Sequence, residues 1–225
     1  MAGVAEILDA HKDRVKRQSQ PEWVEPMLAT LTHDCFSDSD WIFGRKLDGE
    51  RVLAYRSGGA ATLLSRNKRQ LGKTYPELVE ALSTQRSRDF IVDGEVVAFD
   101  GPRTSFARLQ RRMQLTDARE IRNKGVPVFY YLFDVIHVDG RTVTHLPLRT
   151  RKRILSEMFS FADPLRLSAH RNASGKEYLR EACRKGWEGL IAKRADSTYQ
   201  SRRSRDWLKF KCDARARPPI QSLFR

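Results

Sequence analysis

Four residues near position 50 have the types and spacing needed for phosphate chemistry: Lys46, Asp48, Gly49 and Arg51. An amine is a good nucleophile only when it is neutral. A free lysine has a pKa of about 10.4, so burial and a second nearby cation favour the reactive form. An arginine stays charged and can hold phosphate oxygens through two parallel hydrogen bonds. The stretch therefore suits an amine, Lys46, that attacks a phosphate.

A second interpretation of the same stretch is structural. Apolar, strand-like residues lie on both sides of it, at 41–43 and 52–55. Asp-Gly is a common hairpin turn, because aspartate bonds its own backbone and glycine accepts a positive φ. An ordinary surface hairpin with an exposed lysine fits this stretch as well, so the rest of the chain has to decide.

The charge of the chain points to an anionic partner. Its 225 residues carry 42 lysines and arginines against 28 acidic residues, a formal net charge of +14. Nucleic acid is the first class of partner that such an excess indicates, and an anionic membrane surface is the second. The length allows one large domain or two small ones with a sizeable core.

Two further features bear on where the protein works. No apolar run approaches the roughly 20 residues that span a bilayer, and residues 1–20 lack a signal-peptide core. The three cysteines, Cys35, Cys183 and Cys212, are odd in number and far apart. They predict a reducing, cytoplasmic compartment, with neither a disulfide framework nor a cysteine-rich zinc site.

The elements that would position Lys46 follow from the apolar patterns. Residues 1–20 predict a short polar helix with a thin apolar face that frays. Strands are expected on both sides of Lys46, and Gly58-Gly59 closes a hairpin whose second strand ends at Arg66. Arg66 is either a solvated strand end or a second contact to phosphate or ribose.

Two carboxylates stand beside strongly apolar stretches. Residues 90–99 predict a pair of strands interrupted by Asp93, Gly94 and Glu95. A buried carboxylate is costly without a partner, so Glu95 is either a site residue or part of an exposed bend. Glu188 precedes another apolar strand, at 189–193, and by itself is a weak candidate because most such residues are solvated.

A helix after Thr104 has one apolar and one basic face. The apolar face carries Phe106, Leu109 and Met113, and the outer face carries Arg108, Arg111 and Arg112. The basic face either contacts a DNA backbone or is simply solvated.

The last third of the chain adds aromatic and basic candidates. Residues 126–138 predict a buried strand whose aromatic residues form core or stack on a base. A loop at 197–205 contains Arg202, Arg203 and Arg205, and the strand after it alternates. Lys209 and Lys211 therefore share one face, either opposite a polyphosphate or protecting an exposed edge strand.

Each of these stretches is weak alone, but their order is specific. The order is Lys46-Leu47-Asp48-Gly49-Glu50-Arg51, Ser65-Arg66-Asn67, Asp93-Gly94-Glu95, residues 129–134, Glu188-Gly189-Leu190-Ile191-Ala192-Lys193 and Trp207-Leu208-Lys209-Phe210-Lys211. This series resembles the motifs of the covalent nucleotidyltransferases. The residues within the motifs are most similar to those of the adenylation domain of ATP-dependent DNA ligases of the bacterial ligase D type. The resemblance extends from about residue 26 to residue 212.

The resemblance implies a fold and a domain plan. The fold would be α+β, an ATP-grasp-like nucleotidyltransferase fold of antiparallel sheets flanked by helices, with the nucleotide in the cleft between them. Residues 1–20 would form an N-terminal extension, 21–212 the adenylation domain and 213–225 a tail. The chain would lack the C-terminal OB domain of its relatives.

The resemblance also implies roles for individual residues. Lys46 would take AMP from ATP and release pyrophosphate, and Phe133 would stack on adenine. Glu95 would bind ribose or metal, and Glu188 would help to hold the metal. The contacts to nucleotide and phosphates would come from Arg51, Arg66, Lys209 and Lys211, with Lys193 and Arg205 as lesser candidates.

The implied cofactors are ATP and Mg²⁺ or Mn²⁺. The implied substrate is nicked or broken double-stranded DNA, whose 5′-phosphate receives the AMP during DNA repair. A Ku-type end-binding protein or a separate OB-fold module would be a partner, and no membrane would be involved. The location would be cytoplasmic and associated with the nucleoid.

Gly44 departs from the family pattern, because relatives usually carry a glutamate two places before the nucleophile, where it helps to recognise the nucleotide. Three alternatives therefore stay open: an RNA ligase or GTP-using capping enzyme, a DNA-binding remnant that no longer seals, and a fragment of a larger ligase.

Overall fold

The computed structural model describes residues 3–212 and shows an α+β fold. The helices are α1 (Val4–Asp9), α2 (Pro76–Ser83), α3 (Phe106–Met113), α4 (Ala118–Lys124), α5 (Leu148–Met158) and α6 (Gly175–Arg184). The strands are β1 (Lys16–Arg17), β2 (Leu28–Leu31), β3 (Trp41–Arg45), β4 (Glu50–Ser57), β5 (Thr62–Ser65), β6 (Asp89–Val97), β7 (Phe99–Asp100), β8 (Arg103–Thr104), β9 (Phe129–Val138), β10 (Arg141–Thr142), β11 (Leu165–Leu167), β12 (His170–Asn172), β13 (Gly189–Arg194) and β14 (Arg203–Lys211).

Two sheets form the framework. The larger has the order β1-β10-β9-β6-β4-β5, with β11 added beside β9, and the smaller has the order β12-β3-β13-β14-β2. Strands β7 and β8 make a separate two-stranded ribbon. Most neighbours are antiparallel, as predicted, but β11 runs parallel to β9 and β14 runs parallel to β2.

The chain crosses from one sheet to the other at Lys46. The predicted strands on both sides of this residue exist, but β3 belongs to the smaller sheet and β4 to the larger. The surface-hairpin interpretation is therefore wrong. Gly49 lies in the crossover, where a Cβ would collide with the carbonyl oxygen of Val96, so only glycine fits.

The prediction of two strands between residues 90 and 99 is also wrong, because β6 is one strand through Asp93, Gly94 and Glu95. It pairs with β4 in regular register and with β9 in a register that shifts between Asp93 and Gly94. A Cβ at Gly94 would collide with the ring of Tyr130, so glycine permits the close approach of β9.

Three apolar clusters hold the layers together. The largest covers one face of the larger sheet with α2 and α5, through residues such as Leu78 and Ile154. A second packs α6 on the smaller sheet through Tyr178 and Ala182. The third joins the two sheets below the cleft and includes Trp207. The sheets are thus fixed to each other at the base of the cleft.

The first 20 residues differ from their prediction. The helix covers only Val4–Asp9, and Ile7 and Leu8 of its thin apolar face are buried in the main core. The short strand β1 then adds to the edge of the larger sheet. The predicted tail, 213–225, lies outside the described residues.

Helix α3 begins as predicted, because the Ser105 side chain accepts a hydrogen bond from the backbone N–H of Arg108. The predicted basic face is partly wrong. Arg112 is 1% exposed and donates to both carboxylate oxygens of Glu77 at 2.9 Å. Only Arg108 and Arg111 of that set are exposed, because Arg112 faces α2.

The expectation of unpaired cysteines is wrong for two of the three. Cys183, near the end of α6, forms a disulfide with Cys212, directly after β14, and Cys35 remains free. The two partners are 29 residues apart in sequence, and packing of α6 on the smaller sheet brings them together. No helix within residues 3–212 is long and apolar enough to cross a membrane.

Candidate active site

A cleft of about 260 Å³ opens between the two sheets at the crossover. Of its lining side chains in the described part of the chain, eight are cationic, whereas Glu95 alone is acidic. The cations are Arg45, Lys46, Arg51, Arg66, Lys152, Lys193, Arg203 and Lys209. This charge is suited to a polyphosphate, since buried or half-buried cations attract anions far more strongly than exposed ones.

Lys46 lies at the mouth of the cleft and is held at both ends. Its backbone N–H donates to the carbonyl oxygen of Gly189 at 2.9 Å. Its Nζ donates to Oε2 of Glu188 at 2.6 Å, and the two side chains are only 18% and 16% exposed. The crossover thus presents the amine in the cleft, beside a carboxylate that can accept its proton.

Arg51 is anchored rather than free. Its guanidinium makes a bidentate ion pair with Asp93, whose side chain is fully buried, and also donates to the carbonyl oxygen of Met27 at 3.3 Å. The hydroxyl of Tyr199 donates to the same carboxylate at 2.7 Å. This network neutralises Asp93, which explains how β6 tolerates a carboxylate in its buried run.

Among residues 3–212, Glu95 has no anchor comparable to that of Asp93, and it is the acidic residue that lines the cleft. Burial raises the pKa of its carboxyl to about 7, although the positive charges of Arg51 and Lys46 oppose the rise. The negative charge of Glu188 contributes to that rise, so the two carboxylates act on each other electrostatically.

The aromatic wall of the cleft is formed by Phe133 and Trp207, whose rings meet edge to face at 6.1 Å. The Arg51 guanidinium carbon lies 4.5 Å from the Phe133 ring centre, and Lys193 Nζ lies 4.1 Å from it. Lys193 Nζ is also 3.5 Å from the Trp207 ring. A base that stacks on Phe133 therefore has to share the ring with these cations.

Burial, with smaller contributions from neighbouring cations, lowers the pKa of three lysines of the cleft. Burial takes the pKa of Lys193 well below its ordinary value, and Lys152 adds to the effect. Burial also lowers the pKa of Lys209, with further repulsion from Lys46 and Arg203. Burial lowers the pKa of Lys152 to about 8. An anion in the cleft would relieve this repulsion.

The structure brings most of the predicted site residues together. Lys46, Arg51, Arg66, Glu95, Phe133, Lys193 and Lys209 all line the cleft. Glu188 contacts Lys46, and Lys211 Nζ lies 4.0 Å from its other carboxylate oxygen, at the rim. Arg205 is exposed and is not among the lining residues, whereas Arg203 is. The register between β14 and β2 is irregular between Ser204 and Leu208, and this bulge separates the two arginines.

Several residues of the site were missed or misjudged from the sequence. Asp93 was predicted only to interrupt a pair of strands, and Trp207 was treated only as an alternating strand residue. Lys152 and His170 were passed over, yet both line the cleft. Lys152 is one of several basic residues of α5, so nothing in its local sequence distinguishes it as a site residue. Asp93 could have been recognised, because a carboxylate inside an apolar run needs a partner.

Gly44 lies on β3, in the cleft wall, two residues before Lys46. A Cβ built there would meet the carbonyl oxygen of Ala169 at 3.4 Å, an ordinary contact. A Cβ at position 44 is therefore tolerated, so the backbone does not require a glycine there.

Comparisons with known proteins agree with this geometry. The model of the ATP-dependent DNA ligase domain family matches residues 26–211. The multifunctional non-homologous end joining protein LigD of Pseudomonas aeruginosa is 34% identical over 87% of this chain, which covers 23% of that relative. A DNA ligase of Thermococcus fumicolans is 33% identical over 84% of this chain, which covers 36% of it.

Among solved structures, a mycobacterial DNA ligase D complexed with ATP and MES aligns with 84% of this chain at a TM-score of 0.67 and 30% identity. The alignment covers 60% of that chain. The ligase domain of LigD from M. tuberculosis aligns equally far, at a TM-score of 0.65.

Proposed function

Because the chain belongs to the family of ATP-dependent DNA ligase domains, we propose that it performs the adenylation chemistry of DNA sealing with Lys46 as the nucleophile. The observation that carries the proposal is the position of Lys46. Its amine lies in a cationic cleft, at the crossover between two sheets, 2.6 Å from an acceptor carboxylate.

In the proposed step, the lone pair of Lys46 Nζ forms a bond to the α-phosphorus of ATP. The bond from that phosphorus to the oxygen bridging to the β-phosphate breaks, and pyrophosphate leaves. The amine proton passes to Oε2 of Glu188, which already accepts a hydrogen bond from Nζ. The product is a lysyl-AMP protein.

The cations of the cleft would stabilise the charge that builds up on the phosphate oxygens. Lys209 and Arg66 line the cleft, and Lys211 stands at its rim beside Glu188. Arg51 would mainly stabilise the cleft wall, because its guanidinium already donates two hydrogen bonds to Asp93. Its positive charge would still contribute to binding of the phosphates. Arg205, which is exposed, would serve DNA phosphates better than the nucleotide.

The apolar part of the cleft would hold the base. Phe133 offers a ring for stacking, and Ile191 lies on the opposing sheet. Lys193 would shift towards a nucleotide phosphate or ribose when the base takes its place on Phe133, because its ammonium already lies against that ring.

The two carboxylates suit a divalent cation. Mg²⁺ is usually held by one or two carboxylates together with substrate phosphates, and Glu95 and Glu188 would provide them. The raised pKa of Glu95 reflects a carboxylate that lacks full compensation, as expected where a cation binds. No cluster of three or more acidic, histidine or cysteine ligands occurs within residues 3–212, so the phosphates would complete the shell. Bound Mg²⁺, or Mn²⁺, would neutralise charge on the phosphates.

The proposed substrate is a nick or break in double-stranded DNA. AMP would pass from Lys46 to the 5′-phosphate, and a 3′-hydroxyl would then displace it. The net charge of +14 supports binding to the phosphate backbone of DNA without recognition of the base sequence. The exposed Arg108 and Arg111 of α3 extend the basic surface.

The names of the relatives support a role in DNA repair by end joining. This chain spans between 23% and 36% of the first curated relatives it matches, so sealing itself is part of the proposal. We further propose that a Ku-type end-binding protein or a separate OB-fold module assists it, and that it works at the nucleoid.

The test is incubation with α-labelled ATP and Mg²⁺, followed by denaturing electrophoresis and then a nick-sealing assay. A labelled band that depends on Lys46 would support adenylation, and absence of a band with every nucleotide would contradict it. GTP is run beside ATP, because Gly44 offers no side-chain acceptor for a base and leaves a GTP-using relative as the second candidate.

A further inference from the structure

One row of residues crosses four strands of the smaller sheet and faces the cleft. In register, His170 on β12 is opposite Gly44 on β3, Gly44 is opposite Ile191 on β13, and Ile191 is opposite Lys209 on β14. All four line the cleft. Residues directly opposite each other on one sheet face are neighbours. The row therefore forms a continuous strip of the cleft wall.

The row has a cationic end and a neutral end. Lys209 lies at one end, near Lys46, whose charge contributes to lowering its pKa. His170 lies at the other end, three strand spacings or about 14 Å from Lys209. A nucleotide whose α-phosphate meets Lys46 and whose remaining phosphates meet Lys209 therefore directs its base along the row, over Ile191, towards Gly44 and His170.

Gly44 leaves a gap in this strip. It contributes no side chain between Ile191 and His170, although the backbone leaves room for one. A hydrogen bond to the edge of the nucleotide base at this point must then come from a neighbouring side chain of the cleft. Lys152 lines the same wall but can only donate, and its Nζ already donates to the carbonyl oxygen of Ser168 at 3.3 Å.

The imidazole of His170 has the required chemistry. The His170 side chain is exposed at the edge strand β12, and partial desolvation there, together with the charges of Lys152 and Arg149, lowers its pKa to about 4, so the ring is neutral at physiological pH. A neutral imidazole carries one acceptor nitrogen and one donor. The side chain has no hydrogen-bond partner among residues 3–212, so both nitrogens are available to a ligand.

We propose that the imidazole of His170 recognises the base of the nucleotide by accepting a hydrogen bond from the 6-amino group of adenine, in the gap left by Gly44. The inference rests on the proposed function of the cleft and adds to it the residue that selects the base. His170 is thus a specificity residue and takes no part in the bond changes at Lys46.

The test compares ATP with purine riboside triphosphate, which lacks the 6-amino group. The concentration for half-maximal labelling of Lys46 is measured for wild type, His170→Ala, His170→Asn and the control His33→Ala, a substitution of an exposed loop histidine outside the cleft. Equilibrium binding of both nucleotides to Lys46→Ala, with and without His170→Ala, gives a second measurement that does not depend on catalysis.

Wild type is expected to prefer ATP by about fivefold to tenfold, the range that one neutral hydrogen bond provides. His170→Ala should remove this preference by weakening the use of ATP and not that of purine riboside triphosphate. His170→Asn should retain part of it, because the carboxamide keeps an acceptor oxygen, and His33→Ala should retain all of it.

One result would overturn the inference alone: a preference for ATP that is unchanged in His170→Ala, whether or not both nucleotides are weakened equally. Binding that depends on His170 without any labelling of Lys46 would instead overturn the proposed function and leave the inference intact. Absence of nucleotide binding to both the wild-type protein and the Lys46→Ala variant would overturn the two together.

Discussion

Lys46 Nζ and Glu188 Oε2 lie 2.6 Å apart, although 142 residues separate them in the chain. The contact joins the crossover between the two sheets to the residue just before β13, and both side chains are largely enclosed. A protonated amine has no free lone pair, so in the proposed step Lys46 would attack as the neutral amine. Glu188, which already accepts a hydrogen bond from Nζ, would receive the proton that the amine releases as the bond to phosphorus forms.

Replacing Lys46 by alanine should abolish covalent attachment of AMP, because no other residue of the cleft wall presents an amine from the crossover. The measurement is labelling with α-labelled ATP on a denaturing gel. Lys73→Ala, at an exposed lysine away from the cleft, serves as the control and should label normally. Persistent labelling of the Lys46→Ala protein would mean that a different lysine is the nucleophile.

Replacing Glu188 by glutamine should slow adenylation by about 10- to 100-fold, the usual cost of disturbing a metal-site partner. It should also raise the Mg²⁺ concentration needed for half-maximal rate, because one of the two carboxylates loses its charge. Single-turnover labelling across a Mg²⁺ series measures both effects. Glu177→Gln, an exposed residue of α6, is the matched control. An unchanged Mg²⁺ dependence would remove Glu188 from the metal site.

The raised pKa of Glu95 predicts a dependence on pH. Its folded-state pKa of about 7 lies above the ordinary value of 4.5. Protonation therefore favours the folded state, and stability is lost as pH rises from about 4.5 through about 7. Glu95→Gln should raise the melting temperature at pH 8 more than at pH 5, whereas Glu80→Gln, at an exposed position of α2, should not. Equal shifts at the two pH values would contradict this assignment.

The same carboxylate should make metal binding depend on pH. Only ionised Glu95 is a good ligand, so the affinity of the Lys46→Ala protein for Mn²⁺ should increase as pH rises through about 7. Titration of Mn²⁺ at several pH values measures the increase. In Glu95→Gln that increase should be much reduced, and a full increase in this variant would point to another ligand.

Introducing the missing side chain is a gain-of-function test. Gly44→Glu should lower the ATP concentration needed for half-maximal labelling by several-fold, because the backbone leaves room for the side chain in the cleft wall. Gly59→Glu makes the same charge change in an open turn and is the control. In the Gly44→Glu background, the effect of His170→Ala should shrink, since the two side chains compete for one base edge. An unchanged ATP dependence would show that position 44 does not face the base.

The disulfide should contribute measurably to stability. It closes a loop across 29 residues, which corresponds to about 3 to 4 kcal/mol in the free energy of unfolding by the loop-entropy model. Cys183→Ser should therefore shift the urea midpoint downwards, and a reducing agent should produce the same shift in wild type. Cys35→Ser should leave the midpoint unchanged. Coincident curves for oxidised and reduced wild type would show that the bond contributes nothing.

Local patterns were enough to predict many of the elements. Apolar runs correctly predicted a strand at 41–43 and a buried strand within 126–138, and the helix predicted after Thr104 is α3. The same patterns misjudged Arg112, because a charge at helical spacing shows which face a residue occupies but not whether another helix covers that face. Periodicity reports a local property, and coverage by α2 is a property of the packing.

What the sequence alone determined was the family: the order of six short motifs indicated it and singled out Lys46, Glu95 and Glu188 as candidate site residues before any contact was known. Only the tertiary structure decided which sheet each strand joins, so only it could turn an apparent hairpin into a crossover. It also brought Asp93 to Arg51, Cys183 to Cys212 and His170 to Gly44. The physical reason is that side-chain alternation fixes which face of a strand is apolar, whereas the partner strand is chosen by burial and pairing summed over the whole fold.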